Sequence, residues 1–392
     1  METPVKRVPI PKNGVDYRGK IVLAPMVRSG ELPSRLVALK YGADLVWGPE
    51  TIDRSMVGTT RKVNLDTSTI DFTRLPSNSS RPQPEVQTES LIFSTHPVLE
   101  HRRLIFQLGT ASPSTAVEAA KLVARDVAGI DVNAGCPKSF STAGGMGAAL
   151  LQDPERLRSI LSALVRDVGQ VYEIGISVKI RLLDTLERTA SLVRTLCTTG
   201  ITGLTIHCRT TPMRPRERAI RQQLQTVSKI CREAGVACLM NGDVGNKDEA
   251  LQLMEQYQVD GAMIATAAEA NFSCFRKSDE GGLLPWKEVV TAYVTTALEV
   301  GNRWGNTKFL LSQLMPGKSE AFQRVVSCST YQEVCRALEL SHLDALAMSV
   351  DQKLGNGNRL TKAMKKKMRR GTVKAAATGN QLQVPNSADV RG

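Results

Sequence analysis

The sequence predicts an α/β protein, a closed (β/α)8 TIM barrel followed by a small all-helical domain. Eight short apolar or β-branched runs alternate with helical patterns across about 250 residues, the length and order of eight strand–helix units. Aromatic residues make up 4% of the chain and hydrophobic residues 42%, so the core is mostly aliphatic, as in parallel sheets layered with Val, Ile and Leu. A doubly wound open sheet is the alternative, and no GxGxxG follows the first strand to support it.

The strands fall at residues 21–24, 44–47, 104–108, 130–133, 176–180, 204–207, 237–241 and 262–265. Helical periodicity follows at 32–41, 114–128, 153–168, 186–199, 219–234 and 247–256. The barrel is bounded at 19–280, behind an N-terminal extension at 1–18. Between the second and third strands, residues 68–87 are polar and proline-rich. An insertion near 66–90 is therefore expected to be a largely disordered surface segment, and 90–94 can add an edge strand. After Gly281 and Gly282, helical patterns at 285–300, 306–315, 319–325 and 331–347 give a helical domain over 283–350. A basic tail, 351–392, is expected to be disordered.

The formal net charge of +13 over 392 residues points to a polyanionic partner. Part of it is local: residues 362–391 carry eight Lys/Arg against one acid, Asp389, a net +7. The cysteines at 136, 197, 208, 231, 238, 274, 328 and 335 form no CxxC pair and no cluster with zinc spacing, so no metal site is expected. Without a signal-peptide pattern they read as reduced intracellular thiols. No apolar run reaches about 18 residues, which leaves no membrane span. A cytoplasmic or nuclear monomer is expected. The first seven residues carry too little pattern for a transit peptide, and a mitochondrial address stays open.

Chemistry is expected at the carboxyl ends of the strands. The first strand ends in Pro25-Met-Val27, whose apolar backbone can press against a flat ring or simply turn into a loop. Gln107 is embedded in an apolar strand and must hydrogen-bond something, a ligand or a protein group. Lys179 and Arg181 lie two apart on one strand and so share a side. Facing inward, they imply an anionic or electron-rich ligand; facing the helices, they would pair with carboxylates. His207 and Arg209 repeat that spacing. Asn241-Gly-Asp243 and Ala265-Thr266 end the seventh and eighth strands, the usual phosphate site of such barrels, and Gly242 lets backbone amides approach a ligand. A phosphate there, a ring over the mouth and Lys179 beside it are what flavin mononucleotide, FMN, needs. Asp131-Val-Asn-Ala-Gly-Cys-Pro-Lys138 runs from a strand into a turn bearing Cys136, either a reactive thiol or a small buried hydrophobe. The glycine-rich stretch 141–148 then reads as a lid over substrate or as a tight connection into the next helix.

These motifs resemble the tRNA-dihydrouridine synthases. Leu23-Ala-Pro-Met-Val, Phe106-Gln-Leu-Gly, the Asp131–Lys138 octapeptide, Val178-Lys-Ile-Arg, Ile206-His-Cys-Arg and Met240-Asn-Gly-Asp match in order between about residues 21 and 340. Ser141-Thr-Ala-Gly-Gly-Met-Gly-Ala-Ala-Leu-Leu and Asn306-Thr-Lys-Phe are similar to the eukaryotic subgroup that acts on position 20 of the D-loop. The resemblance implies that Pro25, Met26 and Val27 line the flavin and that Gln107 and Lys179 hydrogen-bond its ring. It implies that His207, Asn241, Gly242, Asp243, Ala265 and Thr266 hold its phosphate end. Cys136 would be the general acid, with Lys179 and Arg181 steadying charge on the uracil. Asn133, Arg209 and the tail residues Lys362, Lys365, Lys366, Lys367, Arg369 and Arg370 would face substrate or RNA. The family usually has arginine where Thr266 stands and often glycine where Cys208 stands.

The implied reaction reduces the C5–C6 bond of a tRNA uridine with NADPH or NADH as reductant. Hydride reaches C6 from the flavin and a proton reaches C5 from Cys136, whose ordinary pKa of about 8.5 keeps it protonated. The base must be extruded into the pocket. Three alternatives use the same residues: an FMN oxidoreductase acting on a free dihydropyrimidine-like molecule, a Schiff-base lyase using Lys179, and a non-catalytic RNA-binding barrel.

Overall fold

The computed structural model describes residues 7–75, 89–214, 216–317 and 319–356. Twelve strands are present among them: β1 Lys20–Leu23, β2 Leu45–Trp47, β3 Thr51–Ile52, β4 Thr60–Asn64, β5 Thr69–Arg74, β6 Ser90–Thr95, β7 Leu104–Gly109, β8 Gly129–Ala134, β9 Gly175–Leu182, β10 Gly203–Thr210, β11 Ala237–Asn241 and β12 Gly261–Ile264. Eight of these, β1, β2 and β7 to β12, pair in parallel and close through β2–β7 into a barrel, with β3 added beside β7. They are the eight strands that the sequence predicts. Most of the connecting helices also stand where the periodicity places them, from Leu32–Lys40 to Lys247–Tyr257.

Two apolar layers follow from alternation along the strands. Outward residues such as Leu23, Val46, Phe106, Ile130, Val178 and Ile206 pack under the helices in one large cluster. Inward residues Val22, Leu45, Trp47, Ile105, Leu239 and Met263 form a separate, smaller cluster inside the barrel. Tyr17 plugs the amino-terminal end of that interior, 1% exposed, with its ring centroid 5.8 Å from that of Trp47. Glycine makes room for it. A Cβ at Gly203 would lie 2.6 Å from the Tyr17 ring, and one at Gly129 would lie 3.1 Å from its hydroxyl. Residues 1–18 are thus not merely an extension, because Tyr17 belongs to the barrel core. An isolated Tyr gives a sequence reader no period from which to infer this.

The segment after β3 also differs from expectation. Strand β5 lies inside the stretch expected to be disordered and is the central strand of an antiparallel sheet, β4–β5–β6. Ile70 and Phe72 face its buried side and Thr69, Asp71 and Thr73 the other, an alternation too short to stand out beside the proline-rich run. Residues 76–88 of the expected loop lie outside the described residues.

Two helices are shorter than their periodicity. Residues 219–223 are not helical. Ala219 N donates to Asp243 Oδ2 (2.7 Å), Ile220 N donates to Cys208 O (2.7 Å), and Arg221 bonds the carbonyls of Gly242 and Asp243, so the chain is pinned across the strand ends. The pattern over 331–347 splits into helices Tyr331–Ala337 and Asp344–Leu354, with Glu339 at φ 61° between them. With Trp286–Glu299, Trp304–Leu314 and Glu320–Ser327 they form the helical region after the barrel. Its centre is polar as well as apolar: Tyr331 Oη pairs with Thr307 Oγ1 (2.6 Å), and Asp351 accepts from the backbone amides of Tyr331 and Gln332 at 2.9 Å each. Arg303 Nη2 donating to Leu91 O (2.9 Å) and Lys353 paired with Asp66 (2.8 Å) join this region to the antiparallel sheet.

A buried ion pair locks these parts near the barrel mouth. Arg35 Nε meets Glu100 Oε1 at 2.6 Å, both side chains 1% exposed. Arg35 also donates to the carbonyls of Gly30 and Ser94, and Glu100 Oε2 accepts from Thr95 Oγ1 and His96 N. Every charge is therefore partnered, which is the condition for tolerating such a pair. Arg35→Ala leaves Glu100 buried and unpaired, and is expected to lower unfolding free energy by about 3–5 kcal/mol. Urea unfolding of the two proteins at one pH checks this, and a loss below about 1 kcal/mol would mean that the pair relaxes into solvent.

Candidate functional site

The inward positions of β7 to β11 change character from the bottom of the barrel to the top. Glycines and Tyr17 fill the lowest layer, and Gln107, Asp131 and Ser177 lie above it. Asn133, Lys179, Arg181, His207, Arg209 and Asn241 then form the mouth. Strand register accounts for this layering. Gln107 is level with Asp131 and Ser177, and one inward step higher Asn133 is level with Lys179 and Thr205, then Arg181 with His207 and Asn241.

Asp131 is fully buried and fixes the groups around it. Gln107 Nε2 donates to its Oδ2 at 2.8 Å, and Ser177 Oγ donates to its Oδ1 at 2.7 Å. The Gln107 amide is thereby oriented, with its oxygen left as an acceptor. Burial pushes the Asp131 carboxyl up to about 6, against the pull of Gln107, Ser177 and the Lys179 cation. Burial pushes Lys179 down to about 8, helped by the Arg181 cation and opposed by Asp131. Arg181 is held by carbonyls, with Nε on Gly135 O (2.8 Å) and Nη1 on Thr210 O (2.9 Å). Lys179 and Arg181 thus face the interior, not carboxylates on the helices.

At the ends of β10, β11 and β12 lies a small cavity of about 120 Å³ lined by Arg181, His207, Arg209, Asn241, Gly242, Asp243, Val244, Met263, Ala265 and Thr266. Arg209 is 4% exposed. It donates to Glu217 O (2.7 Å) and pairs with Asp243, whose other oxygen accepts from Ala219 N. Arg209 Nη1 lies 3.3 Å from His207 Nε2. An arginine only donates, so Nε2 accepts and the proton sits on Nδ1. Burial, then the Lys179, Arg181 and Arg209 cations, push His207 down to about 2, so it is neutral. Gly242 has φ +117°, and a Cβ there would press on Ala219 and His207 at 3.3 Å. Asn241 Nδ2 is spent on Met263 O (2.9 Å). Arg209 and Asp243 therefore pair with each other along this cavity, Arg209 buried and Asp243 exposed.

Cys136 is half-buried, while the other seven cysteines are buried. Asn133 Oδ1 accepts from the amides of Gly135 and Cys136 at 3.0 Å each, so this 6%-exposed side chain builds the cysteine turn. Ala148 N donates to Cys136 O (2.9 Å), and Ser141, Gly145 and Gly147 fold the glycine-rich stretch tightly beneath the turn. The connecting-turn reading, not the lid, is the one observed. Pro25 and Met26 are half-buried and Val27 is 50% exposed at the end of β1. Cys208 points outward into the core under the helices, so its replacement of glycine leaves the mouth unchanged. Lys362, Lys365, Lys366, Lys367, Arg369 and Arg370 lie outside the described residues. Among the described residues no group of three or more His, Cys, Asp or Glu could hold a metal ion, and no helix is long and apolar enough to cross a membrane.

The family model for dihydrouridine synthase (Dus) matches residues 22–300. The chain belongs to the dihydrouridine synthase family. It is 49% identical over 341 residues to the tRNA-dihydrouridine(20) synthase of Schizosaccharomyces pombe, covering 86% of this chain and 68% of the relative. It is 43% identical over 342 residues to that of Saccharomyces cerevisiae, covering 86% and 87%. A human tRNA-dihydrouridine(20a/20b) synthase-like protein is 27% identical, over 71% of this chain and 77% of its own. Among solved structures, DHODH in complex with ferulenol from Eimeria tenella is similar at a TM-score of 0.40 and 16% identity, over 65% of this chain and 79% of that one.

Four residues of this dihydrouridine synthase site escape a reading of the sequence. Asp131 stands out there only as part of a motif, although an acid on an apolar strand level with Gln107 signals a buried network. Glu50 and Ser141 meet at 3.0 Å across 91 positions, and nothing local announces that contact. Arg221 falls within a helical pattern and instead grips the Gly242–Asp243 loop.

The Asp131 carboxyl is pushed above its unfolded value, so its folded form binds the proton more tightly. That stability is present below about pH 4 and is lost as pH rises through about 6, amounting to about 3 kcal/mol between the two. Asp131→Asn removes this slope. Urea unfolding at pH 4, 5 and 6 should show the variant gaining on the wild type over that range, and parallel curves would contradict the raised pKa.

Proposed function

We propose that this dihydrouridine synthase reduces a uridine of the tRNA D-loop, at position 20, to 5,6-dihydrouridine, with FMN as cofactor and NADPH as reductant. The observation that supports it is the barrel mouth itself: a half-buried thiol on the β8 turn, beside inward Lys179 and an Arg181 held by carbonyls. The 43–49% identity to tRNA-dihydrouridine(20) synthases over 86% of the chain supports the position.

The residues fit an FMN. Gln107 is set with its amide oxygen free and Lys179 stands above Asp131, so the two offer an acceptor and a donor to a ring edge. Pro25, Met26 and the exposed Val27 offer an apolar floor at β1. The 120 Å³ cavity, with His207, Arg181, the Gly242 backbone, Ala265 and Thr266, suits a phosphate. The bound cofactor would supply hydride to C6 of the base. Everything else falls to the chain. Arg181 and Lys179 stabilise negative charge growing on the uracil carbonyls. Cys136, its thiol pushed up by burial and by Glu50, remains S–H at neutral pH and gives its proton to C5. The lowered Lys179 amine would by itself also suit a Schiff base, and it is the family match over residues 22–300 that favours the flavin reading. The surplus of cations grips phosphates while the base is extruded.

The test is the visible spectrum of the purified protein. Flavin bands that bleach with NADPH without oxygen and return on adding tRNA lacking dihydrouridine support the proposal. Return only with a free pyrimidine would favour the small-molecule reading, and a protein that cannot bind FMN would overturn both. Cys136→Ala should keep the bands and their bleaching but slow recovery with tRNA by about 100-fold or more. Recovery at the normal rate would remove Cys136 as the acid. Deleting 362–392 should weaken tRNA binding and flatten its salt dependence, measured by filter binding across salt. An unchanged slope would show that the tail touches no phosphate.

A further inference from the structure

Glu50 lies between β2 and β3, outside every motif used above. Its Oε1 accepts a hydrogen bond from Ser141 Oγ at 3.0 Å. Its Oε2 is buried with no hydrogen bond of ordinary geometry. The polar groups that act on the carboxyl besides Ser141 are the Asn133 amide and the Cys136 thiol. The backbone around them is cleared of side chains. A Cβ at Gly109 would lie 2.6 Å from Glu50 Oε1. A Cβ at Gly147 would lie 2.4 Å from Ser141 Oγ and 2.6 Å from Cys136 O. Gly147 adopts φ +57°, and Ser141 is fully buried. Segments from three strand ends are thus fitted around a Glu50–Ser141–Cys136 cluster, and a buried carboxylate oxygen is left without a hydrogen bond there.

We propose that Glu50 is a positioning residue that shares a proton with Cys136 and keeps that thiol in its S–H form between turnovers. The inference rests on the reading of Cys136 as proton donor. When Cys136 gives its proton to C5 of the uracil, the S–H bond breaks, a C–H bond forms and Sγ is left as thiolate. The Glu50 carboxylate then takes a proton from solvent and passes it to Sγ. One solvent proton enters and one ends on C5. Burial raises the pKa of both groups, and a carboxylic acid is ordinarily a much stronger acid than a thiol, which gives that transfer its direction. The charged groups facing the thiol are Glu50, which holds it up, and Arg181, which draws it down; the backbone amide of Lys138 also favours thiolate, and Lys179 senses the same sulfur. Among the described residues, Glu50 is thus the acid set against these donors.

The experiment is alkylation of the ligand-free, full-length protein by iodoacetamide across pH, read at Cys136 by peptide mass spectrometry. The seven buried cysteines serve as internal controls. Glu50→Gln keeps the size of the side chain and an oxygen for Ser141 but removes the charge. It should move the Cys136 profile to lower pH, with alkylation at a fixed neutral pH faster by about tenfold for each pH unit that the profile moves. Glu50→Ala should move it the same way, with melting temperature confirming that each variant is folded. The reciprocal measurement needs no change at position 50: Cys136→Ala removes the S–H donor and should raise the Glu50 carboxyl titration followed by NMR. Profiles that stay put or move to higher pH, or a Glu50 titration indifferent to Cys136→Ala, overturn the proposal. No flavin or RNA is present in these assays, so their failure would leave the proposed function standing, and failure of tRNA reduction would leave them readable.

Discussion

The burial of Asp131 beneath Lys179 is the constraint on which the rest of this barrel depends. A carboxylate and an ammonium taken out of water cost several kcal/mol each unless every lone pair and proton is matched. For the carboxylate the chain meets that condition with neighbours on adjacent strands at one register level: Gln107 on β7 and Ser177 on β9, both donating to Asp131. The apolar plug below serves the same end. Tyr17 seals the amino-terminal end against water, and Gly129 and Gly203 make its insertion sterically possible. A polar layer held dry from below and open above directs its unsatisfied groups to one place, the mouth.

A fixed interior would be of little use if the loops above it drifted. The Arg35–Glu100 pair prevents this by joining the helix after β1, the Gly30 carbonyl, strand β6 and the segment beyond it. Gly30 is three residues from Val27, so the apolar lip at β1 is tied to the antiparallel sheet. That sheet in turn meets the helical region through Arg303 and Lys353. On the facing side, Arg28 lies 4.1 Å over the Phe309 ring, in the helix Trp304–Leu314. The helical region therefore borders the same lip from which a base would enter, and the geometry of the mouth is set by contacts far apart in sequence.

What could be read from the chain alone follows from these two kinds of order. Barrel strands are short, apolar and separated by helices, so period and spacing revealed all eight. Alternation correctly put Lys179, Arg181 and His207 on one side, because residues two apart on a strand share a face whatever the rest of the fold does. Roles were harder to read than positions. Arg209 and Asp243 carry polar groups expected of ligands and pair with each other across 34 positions, a contact that only the tertiary structure supplies. Glu50 escaped notice for the converse reason: it sits in a loop with no local signal, and its partners come from residues 133, 136 and 141. Strand β5 was lost behind the composition of the segment that follows it.

Electrostatics also sets the character of the cavity that Thr266 lines. In the cavity under Thr266, Arg209 is neutralised by Asp243, but Arg181 is held by the Gly135 and Thr210 carbonyls. Arg181 therefore brings a full charge to the lining. His207 reports this excess, since three neighbouring cations and burial keep it neutral with its proton on Nδ1. An anion entering the cavity would relieve that repulsion, gaining attraction from Arg181 and Lys179 and a donor from His207. Another arginine at 266 would add attraction, but it would also raise the repulsion that the empty cavity must bear. The loop after β11 completes the site with backbone, not charge. Arg221 donates to the carbonyls of Gly242 and Asp243 and so fixes the conformation of that turn.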